Sequence, residues 1–360
     1  MKHKFNYKWT LKDAVFAKDK GKVFSCFACG GGSTMGYKLA GFYVIGCNEI
    51  DPRMNKVYVA NHHPRLNYLC DIREMVTKDL PAELYNLDIL DGSPPCSSFS
   101  SQGNRGEDWG KEKKFREGQA MQVLDTLFFD FIDLAKELQP KVVIAENVKG
   151  LLLGEAISYV RRIYEEFDAA GYYCQHFLLN AQYMGVPQQR ERVFFICLRK
   201  DLAEPFLYQY DMFTQRPLID MSFNEEPIPI SEFTDYQGRE ITSPILRKLW
   251  ENRQYGDKDQ SEANLRLFGK PSNFGQSYVY QHEVCWTLTA KEMSIMHYDQ
   301  PRALSEHEVD SVSTFPQDYN YMSESPHYIA GMSVPPVMMA QVASRVYEQW
   351  LSKTNESIQK

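Results

Sequence analysis

The sequence predicts an α/β protein: a doubly wound parallel sheet in the first 200 residues, followed by a smaller region built differently. Three observations carry this. Short apolar runs alternate with amphipathic segments up to Arg199, and strand alternating with helix marks a sheet covered on both faces. The runs are continuously apolar, as strands buried on both faces are. After Arg199 the alternation stops, and acids and prolines accumulate.

The first strand is read over Lys22–Phe27. It runs into Gly30-Gly31-Gly32 and a helical stretch ending near Leu39. Phe42–Cys47 is the second run and ends at Asn48-Glu49. Leu87–Leu90 leads into Asp91-Gly92-Ser93-Pro94-Pro95-Cys96, and Val142–Ala145 leads into Glu146-Asn147-Val148. Arg192–Leu198 follows Pro187. Helical patterns are read over Met121–Leu138 and Ile157–Ala170. Residues 201–238 carry four prolines and eight acids against one base, Arg216, and read as a connector. Short β-like pieces follow at Gln276–Tyr280 and Cys285–Leu288. A last apolar helix is read over Val334–Leu351, opened by Pro335-Pro336.

A chain of 360 residues, 43% hydrophobic and 24% charged, excludes wholesale disorder, a collagen-like chain and a disulfide-built miniprotein. No apolar run approaches the ~18 residues of a membrane span. Met1 to Lys22 lacks the apolar core of a signal peptide, so a cytosolic location without a membrane partner is expected. The eight scattered cysteines read as reduced thiols. The net charge of −7 lies wholly within residues 201–300, which hold 9 basic and 16 acidic residues; the remainder carries 31 of each sign. The acidic total therefore does not exclude a nucleic-acid partner for the rest of the chain.

Four local features point to chemistry. Phe27-Ala28-Cys29-Gly30-Gly31-Gly32 joins a strand to a helix, where glycines admit close backbone approach and a helix start favours negative charge. Glu49, ending the next strand, is placed for a ribose hydroxyl. A plain strand–helix turn explains the glycines equally well. The dinucleotide pattern Gly-x-Gly-x-x-Gly is absent, which disfavours a nicotinamide cofactor and leaves other nucleoside cofactors open. Cys26-x-x-Cys29 has no second pair to complete a zinc site, so no metal is expected.

The sharpest signal is Cys96, held on a proline-stiffened turn at the carboxyl end of a strand, a credible place for a nucleophile. Glu146 ends another such strand, as an acid, base or hydrogen-bond partner for that thiol, or as a helix cap. Arg190 and Arg192 fall on one face of an extended segment by alternation, either as a paired guanidinium site or as a solvated strand edge. Residues 97–118, with four glycines and five basic residues, read as a lid over the nucleophile.

Taken together these motifs resemble the DNA (cytosine-5)-methyltransferases, over roughly 22–200 and 285–350. Phe27 to Gly36 with Ala40-Gly41-Phe42 is similar to the cofactor-loop motif of that family. Pro94-Pro95-Cys96, continued by Phe99-Ser100, resembles its nucleophile motif, and Glu146-Asn147-Val148 its Glu-Asn-Val motif. Gly185-Val186-Pro187-Gln188-Gln189-Arg190-Glu191-Arg192 matches the Gln-x-Arg-x-Arg motif. Trp286-Thr287-Leu288-Thr289-Ala290 and Arg302-Ala303-Leu304-Ser305 resemble the segment closing the recognition region. Gly331-Met332-Ser333-Val334-Pro335-Pro336 resembles the final motif, with Met332 in place of the usual Asn.

The resemblance implies a Rossmann-like S-adenosylmethionine-dependent domain over 1–200, a target-recognition domain with its connector over 201–300, and a C-terminal segment, 301–360, returning to the catalytic domain. It implies methyl transfer to carbon 5 of a flipped cytosine in duplex DNA, with Cys96 as nucleophile and Glu146, Arg190 and Arg192 completing the catalytic set. S-adenosylmethionine would be held by Phe27, Ala28, Cys29, Gly30, Gly31, Gly32, Glu49, Ile50, Asp71, Ile72, Pro95, Ser333 and Val334. Ser100, Asn147, Val148 and Gln188 would meet the substrate, with residues 239–285 setting sequence choice. A monomer associated with the nucleoid is expected, with a restriction endonuclease counterpart left open. The alternatives are a tRNA cytosine-5 methyltransferase and a catalytically impaired DNA-binding relative.

Overall fold

The structure is a computed structural model that describes residues 3–95, 126–154, 156–212, 214–271 and 275–354, and the backbone of 112–113 and 122–123. Along the chain come β1 (Lys22–Cys26), α1 (Gly32–Leu39), β2 (Tyr43–Glu49), α2 (Pro52–His62), β3 (Leu66–Leu69), α3 (Ile72–Val76) and β4 (Ile89–Gly92). Next are β5 (Glu112–Lys113), β6 (Gln122–Val123), α4 (Leu127–Leu138), β7 (Val142–Val148), α5 (Ala156–Ala169) and β8 (Tyr172–Asn180). Then follow β9 (Gln188–Gln189), β10 (Glu191–Arg199), β11 (Leu207–Gln209), β12 (Gln215–Pro217), α6 (Pro244–Glu251) and α7 (Gln260–Phe268). The chain closes with β13 (Ser277–Val279), β14 (Cys285–Trp286), β15 (Ile295–His297), α8 (Glu306–Ser313), α9 (Pro326–Met332), α10 (Pro336–Val346) and a π-helical turn, Tyr347–Leu351.

The chain divides into two compact units, each assembled from three segments. One contains Phe16–Leu179, Glu191–Ser222 and Met339–Lys360; the other contains Met1–Val15, Asn180–Arg190 and Phe223–Met338. Neither follows the boundaries 1–200, 201–300 and 301–360. Residues 201–222 group with the sheet unit, and residues 301–338 group with the second unit. The reason is that the chain leaves and re-enters each unit, which composition along the sequence cannot register.

The first unit holds a seven-stranded sheet in the order β3-β2-β1-β4-β7-β10-β8. β1 pairs parallel with β2 and β4, β2 with β3, and β4 with β7. This is the expected doubly wound sheet. The chain steps outward from β1 to β3 and then returns to place β4 beside β1, so the winding reverses between β1 and β4. Its packed interior includes Phe24, Leu90, Phe128, Phe131, Val143, Ile163, Phe167 and Phe195. At Gly92 a Cβ would sit 2.5 Å from the Phe131 ring, so only glycine lets α4 lie this close to the end of β4.

Two element readings are corrected. The helix expected over Met121–Leu138 begins at Leu127, because residues 122–123 are extended and pair with β5. The expected helix Val334–Leu351 starts at Pro336, a residue suited to a first turn because it brings no N–H.

In the second unit β9 pairs parallel with β14, and β13 with β15. Ile228, Ile230, Val279, Leu288, Ile295, Leu304, Val309 and Val312 form its core. Beneath α8 lies a buried ionic cluster. Arg302 donates from both terminal nitrogens to Glu308, at 2.8 and 2.9 Å, and the His297 ring stands 3.1 Å from the same carboxylate. Ser305 and Glu308 also close a capping box at the start of α8.

Candidate active site

In an open parallel sheet the strands exit at one edge, and ligands bind outside their carboxyl ends where the winding reverses. Here the reversal falls between β1, which leads into the glycine turn, and β4, which leads into Ser93-Pro94-Pro95. β2 ends at Glu49 on the same edge, and β7 ends at Val148. β10 is antiparallel to β7, so it begins where β7 ends, with Arg192 opposite Val148. That reversal delivers an arginine from the start of a strand to an edge otherwise made of strand ends.

Arg192 and Glu146 lie diagonally across this pair, and Arg192 Nε donates to Glu146 Oε1 at 3.0 Å, with side chains 15% and 10% exposed. Burial lowers the Arg192 pKa, and the Glu146 charge and hydrogen bond work against that. Asn147 Nδ2 donates to the Pro94 carbonyl at 3.1 Å, while its Oδ1 accepts the Val148 N–H at 2.9 Å. The Glu-Asn-Val strand end is thereby bonded to the turn that leads into Cys96. Cys96 and Ser100 lie outside the described residues, as does the expected lid 97–118 apart from the backbone of 112–113. The other seven cysteines are free thiols, as expected.

The glycine turn is built from backbone conformations that most side chains avoid. Phe27 and Cys29 have φ of 53° and 47°, and Gly31 has φ of 94°. Glu49 holds the turn from the next strand: its carboxylate accepts N–H bonds from Cys29 at 2.6 Å and from Asp51 at 2.8 Å. Burial raises the Glu49 pKa, and those backbone donors pull it back. α1 then starts at Gly32 with no side-chain cap among the described residues, an arrangement that suits an anion at its first-turn N–H groups. Asp71 caps α3, accepting the Arg73 N–H at 3.0 Å and Arg73 Nη1 at 3.2 Å. The Ile72 side chain is committed to the core, and Ile50 and Pro95 are half-buried.

Gln188 and Arg190 belong to the second unit and are spent inside it. Gln188 is fully buried: its Nε2 donates to Val312 O at 3.1 Å and its Oε1 accepts the Leu288 N–H at 3.1 Å. Arg190 Nη1 donates to Leu288 O at 3.1 Å, and Nη2 donates to Gly331 O and Ser333 O, each at 2.9 Å. The extended run expected to carry both arginines is divided: Arg190 lies between β9 and β10, and Arg192 lies in β10. Ser333 and Val334 are buried, the Ser333 hydroxyl has no hydrogen-bond partner among the described residues, and Met332 is 37% exposed.

A family model described as C-5 cytosine-specific DNA methylase matches residues 21–348. The chain is 39% identical over 244 residues to the type II methyltransferase M.FnuDI of Fusobacterium nucleatum, covering 68% of this chain and 59% of that one. It is 37% identical over 189 residues to M.NgoPII of Neisseria gonorrhoeae, covering 52% and 50%. The match thus spans between half and three-fifths of these two relatives. With M1.HphI of Haemophilus parahaemolyticus it is 26% identical over 344 residues, covering 92% and 87%. Among solved structures, a Spodoptera frugiperda DNMT2 mutant matches with a TM-score of 0.61 at 17% identity, covering 91% of this chain and 99% of that one. S. pombe Dnmt2 methyltransferase matches with a TM-score of 0.56 at 14% identity, covering 91% and 98%. At such identities the likeness is one of fold.

Proposed function

Because this chain belongs to the C-5 cytosine-specific DNA methylase family, we propose that it transfers a methyl group from S-adenosylmethionine to carbon 5 of cytosine within a specific duplex DNA sequence. The observation that carries this reading is the Glu146–Arg192 pair, set on the edge where Asn147 bonds the turn leading to Cys96.

Carbon 5 of cytosine is a poor nucleophile. The Cys96 thiolate adds to carbon 6 of the extruded base. Glu146 hydrogen-bonds or protonates ring nitrogen 3, drawing electrons from carbon 6. Arg192 holds the Glu146 carboxylate in one orientation and offsets charge developing on the base. The resulting enamine makes carbon 5 nucleophilic. After methylation, loss of the carbon-5 proton expels the thiolate and restores the ring. Arg190, given its partners, acts by fixing the backbone of the final motif, and Gln188 by fixing β9 against Leu288 and Val312.

The glycine turn fits S-adenosylmethionine. When bound, S-adenosylmethionine would supply the electrophilic methyl group. Glu49 keeps acceptor capacity beyond the backbone N–H bonds it receives, which suits a ribose diol. The uncapped start of α1 suits the amino-acid carboxylate. Phe27 to Gly32, Ile50, Asp71, Ile72 and Pro95 complete that assignment in the sheet unit. Ser333 and Val334 keep theirs from the motif.

Residues 239–285 are assigned to sequence choice. Tyr255 is 86% exposed and packs edge-on against Tyr280 and Tyr298, whose rings stack at 4.4 Å. Arg253 lies 3.4 Å over the Trp250 ring. An exposed aromatic on a rigid aromatic and cationic base suits contact with a nucleic acid. Among the described residues no helix is long and apolar enough to cross a membrane. We place the protein in the cytoplasm at the nucleoid, as a monomer, and the type II names of its relatives support an endonuclease counterpart.

The test is a mechanism-based adduct. Wild-type protein with cofactor should form a denaturant-resistant complex with duplex DNA carrying 5-fluorocytosine, because fluorine cannot leave as a proton does. Cys96→Ala should form none. Protein that binds this DNA and cofactor without forming the adduct would overturn the covalent mechanism.

A further inference from the structure

We propose that Asp91 is a positioning residue of the methyl-transfer site, tying the helix that opens from the glycine turn to the strand that ends in the nucleophile. This deepens the methyltransferase reading and rests on it. Asp91 lies in β4, opposite Ser25 on β1 and Ile144 on β7. It therefore sits at the winding reversal, five positions before Cys96. Its Oδ2 accepts the Ser25 hydroxyl at 2.7 Å and its Oδ1 accepts the Tyr37 hydroxyl of α1 at 3.1 Å. All three side chains are buried.

Two features argue that the group is there for geometry rather than stability. The rest of β4 is Ile89, Leu90 and Gly92, all buried, and among the described residues no cation pairs with Asp91. A hydrocarbon of similar volume would be cheaper to bury than a carboxylate without a counter-charge. Further, among the described residues no side chain caps α1 at Gly31. The bonds that fix the helix instead include Tyr37 to Asp91, and Thr34 Oγ1 with the Tyr58 hydroxyl of α2 at 3.0 Å. Rotation or sliding of α1 would carry the glycine turn with it, and the Asp91 bonds refer both to the strand that delivers Cys96.

The carboxylate form is the one that accepts both hydroxyls. Burial pushes Asp91 up to about 7, the Ser25 and Tyr37 bonds pull it down, and the Glu146 charge adds to the rise. The titratable groups that face it are Tyr37 from α1, Cys26 from β1 and Glu146 from β7. Burial raises Cys26 and Tyr37 well above their usual ranges, so both stay neutral. As pH falls through neutrality Asp91 becomes a donor, and one of its two hydroxyl bonds must reverse or break.

The experiment measures single-turnover methyl transfer against pH, with calorimetry of S-adenosylmethionine binding, for wild type, Asp91→Asn and Tyr37→Phe. The wild-type rate should fall below a break near neutrality. Asp91→Asn should lose that break and run roughly ten- to a hundred-fold slower on the plateau, the cost of a misplaced reacting pair, with DNA affinity unchanged. Tyr37→Phe removes a donor to the charged form, so its break should move to higher pH. A merely structural contact would not move it. If Asp91→Asn does not fold, the Tyr37→Phe shift decides alone. Wild type that transfers methyl while the variants give superimposable profiles overturns this proposal only. Wild type with no transfer overturns the parent reading and this proposal with it.

Discussion

Replacing Arg190 with Met separates a scaffold arginine from a chemical one. Methionine keeps the length and apolar bulk but strands the carbonyls of Leu288, Gly331 and Ser333, each now bonded at 2.9–3.1 Å. A buried polar group that loses its partner costs about 1–3 kcal/mol. Three such groups, partly relieved by relaxation, give roughly 3–6 kcal/mol, a large share of the ~5–15 kcal/mol that holds an ordinary domain together. The assay is urea unfolding followed by tryptophan fluorescence, since Trp9, Trp250 and Trp286 all lie in the unit that contains Arg190. Arg192→Lys, which keeps a charge beside Glu146 in the other unit, should leave that midpoint in place and slow methyl transfer instead. An Arg190→Met protein with an unchanged midpoint but no methyl transfer would refute the scaffold assignment and return Arg190 to the catalytic set.

Gly331→Ala should destabilise the same unit by upwards of about 2 kcal/mol, because the new Cβ would stand 2.4–2.5 Å from the Thr289–Ala290 backbone; chemical denaturation measures it. Burial alone would raise the Glu308 carboxyl, but bonds from Arg302, His297 and Ser305 bring it down to about 2. Its contribution is therefore full above the ordinary value of 4.5 and lost as pH falls from 4.5 to about 2. A Glu308→Gln variant should lack that part of the acid transition in a pH-melting series. Met332 is exposed enough that an amide there would reach water. Met332→Asn should leave the melting curve unchanged and tighten S-adenosylmethionine binding by up to about tenfold, the value of one added hydrogen bond. Weaker binding with a lowered melting temperature would contradict that.

Most of the sheet was legible because its central strands are buried on both faces. β1, β2, β4 and β7 are buried strands built around short apolar runs, and their ends mark the motifs. The two edge strands gave no such signal. β3 is Leu-Asn-Tyr-Leu with every residue at least partly exposed, and β8 mixes Gln and His among its apolar residues. α2 went unread although its start is written in Asp51-Pro52: Asp51 accepts the Arg53 N–H at 2.9 Å and Pro52 opens the helix. Strand direction is not a local property, so nothing in residues 191–199 announced that β10 runs backward. Without that direction, Glu146 and Arg192 could be named but not paired. Alternation likewise placed Arg190 beside Arg192 by assuming an unbroken strand. Asp91 is visible in the sequence only as the residue that follows the run Leu87–Leu90; its two buried hydroxyl partners come from β1 and α1.

The discontinuous second unit has a consequence for synthesis on the ribosome. The backbone amides of Leu11 and Lys12 are received by Asp318, 307 and 306 residues later, and Gln188 by Val312, 124 residues later. The early segments therefore leave the exit tunnel with donors that have no acceptor until most of the chain has followed. A premature stop before that point would leave the buried ends of Gln188 and Arg190 unanswered, so the product would be a target for proteolysis rather than a shorter enzyme. The same bookkeeping bears on chimeras. Trp286 pairs with Gln189, so a grafted recognition segment that runs past residue 284 must bring a strand able to pair with this chain's own β9.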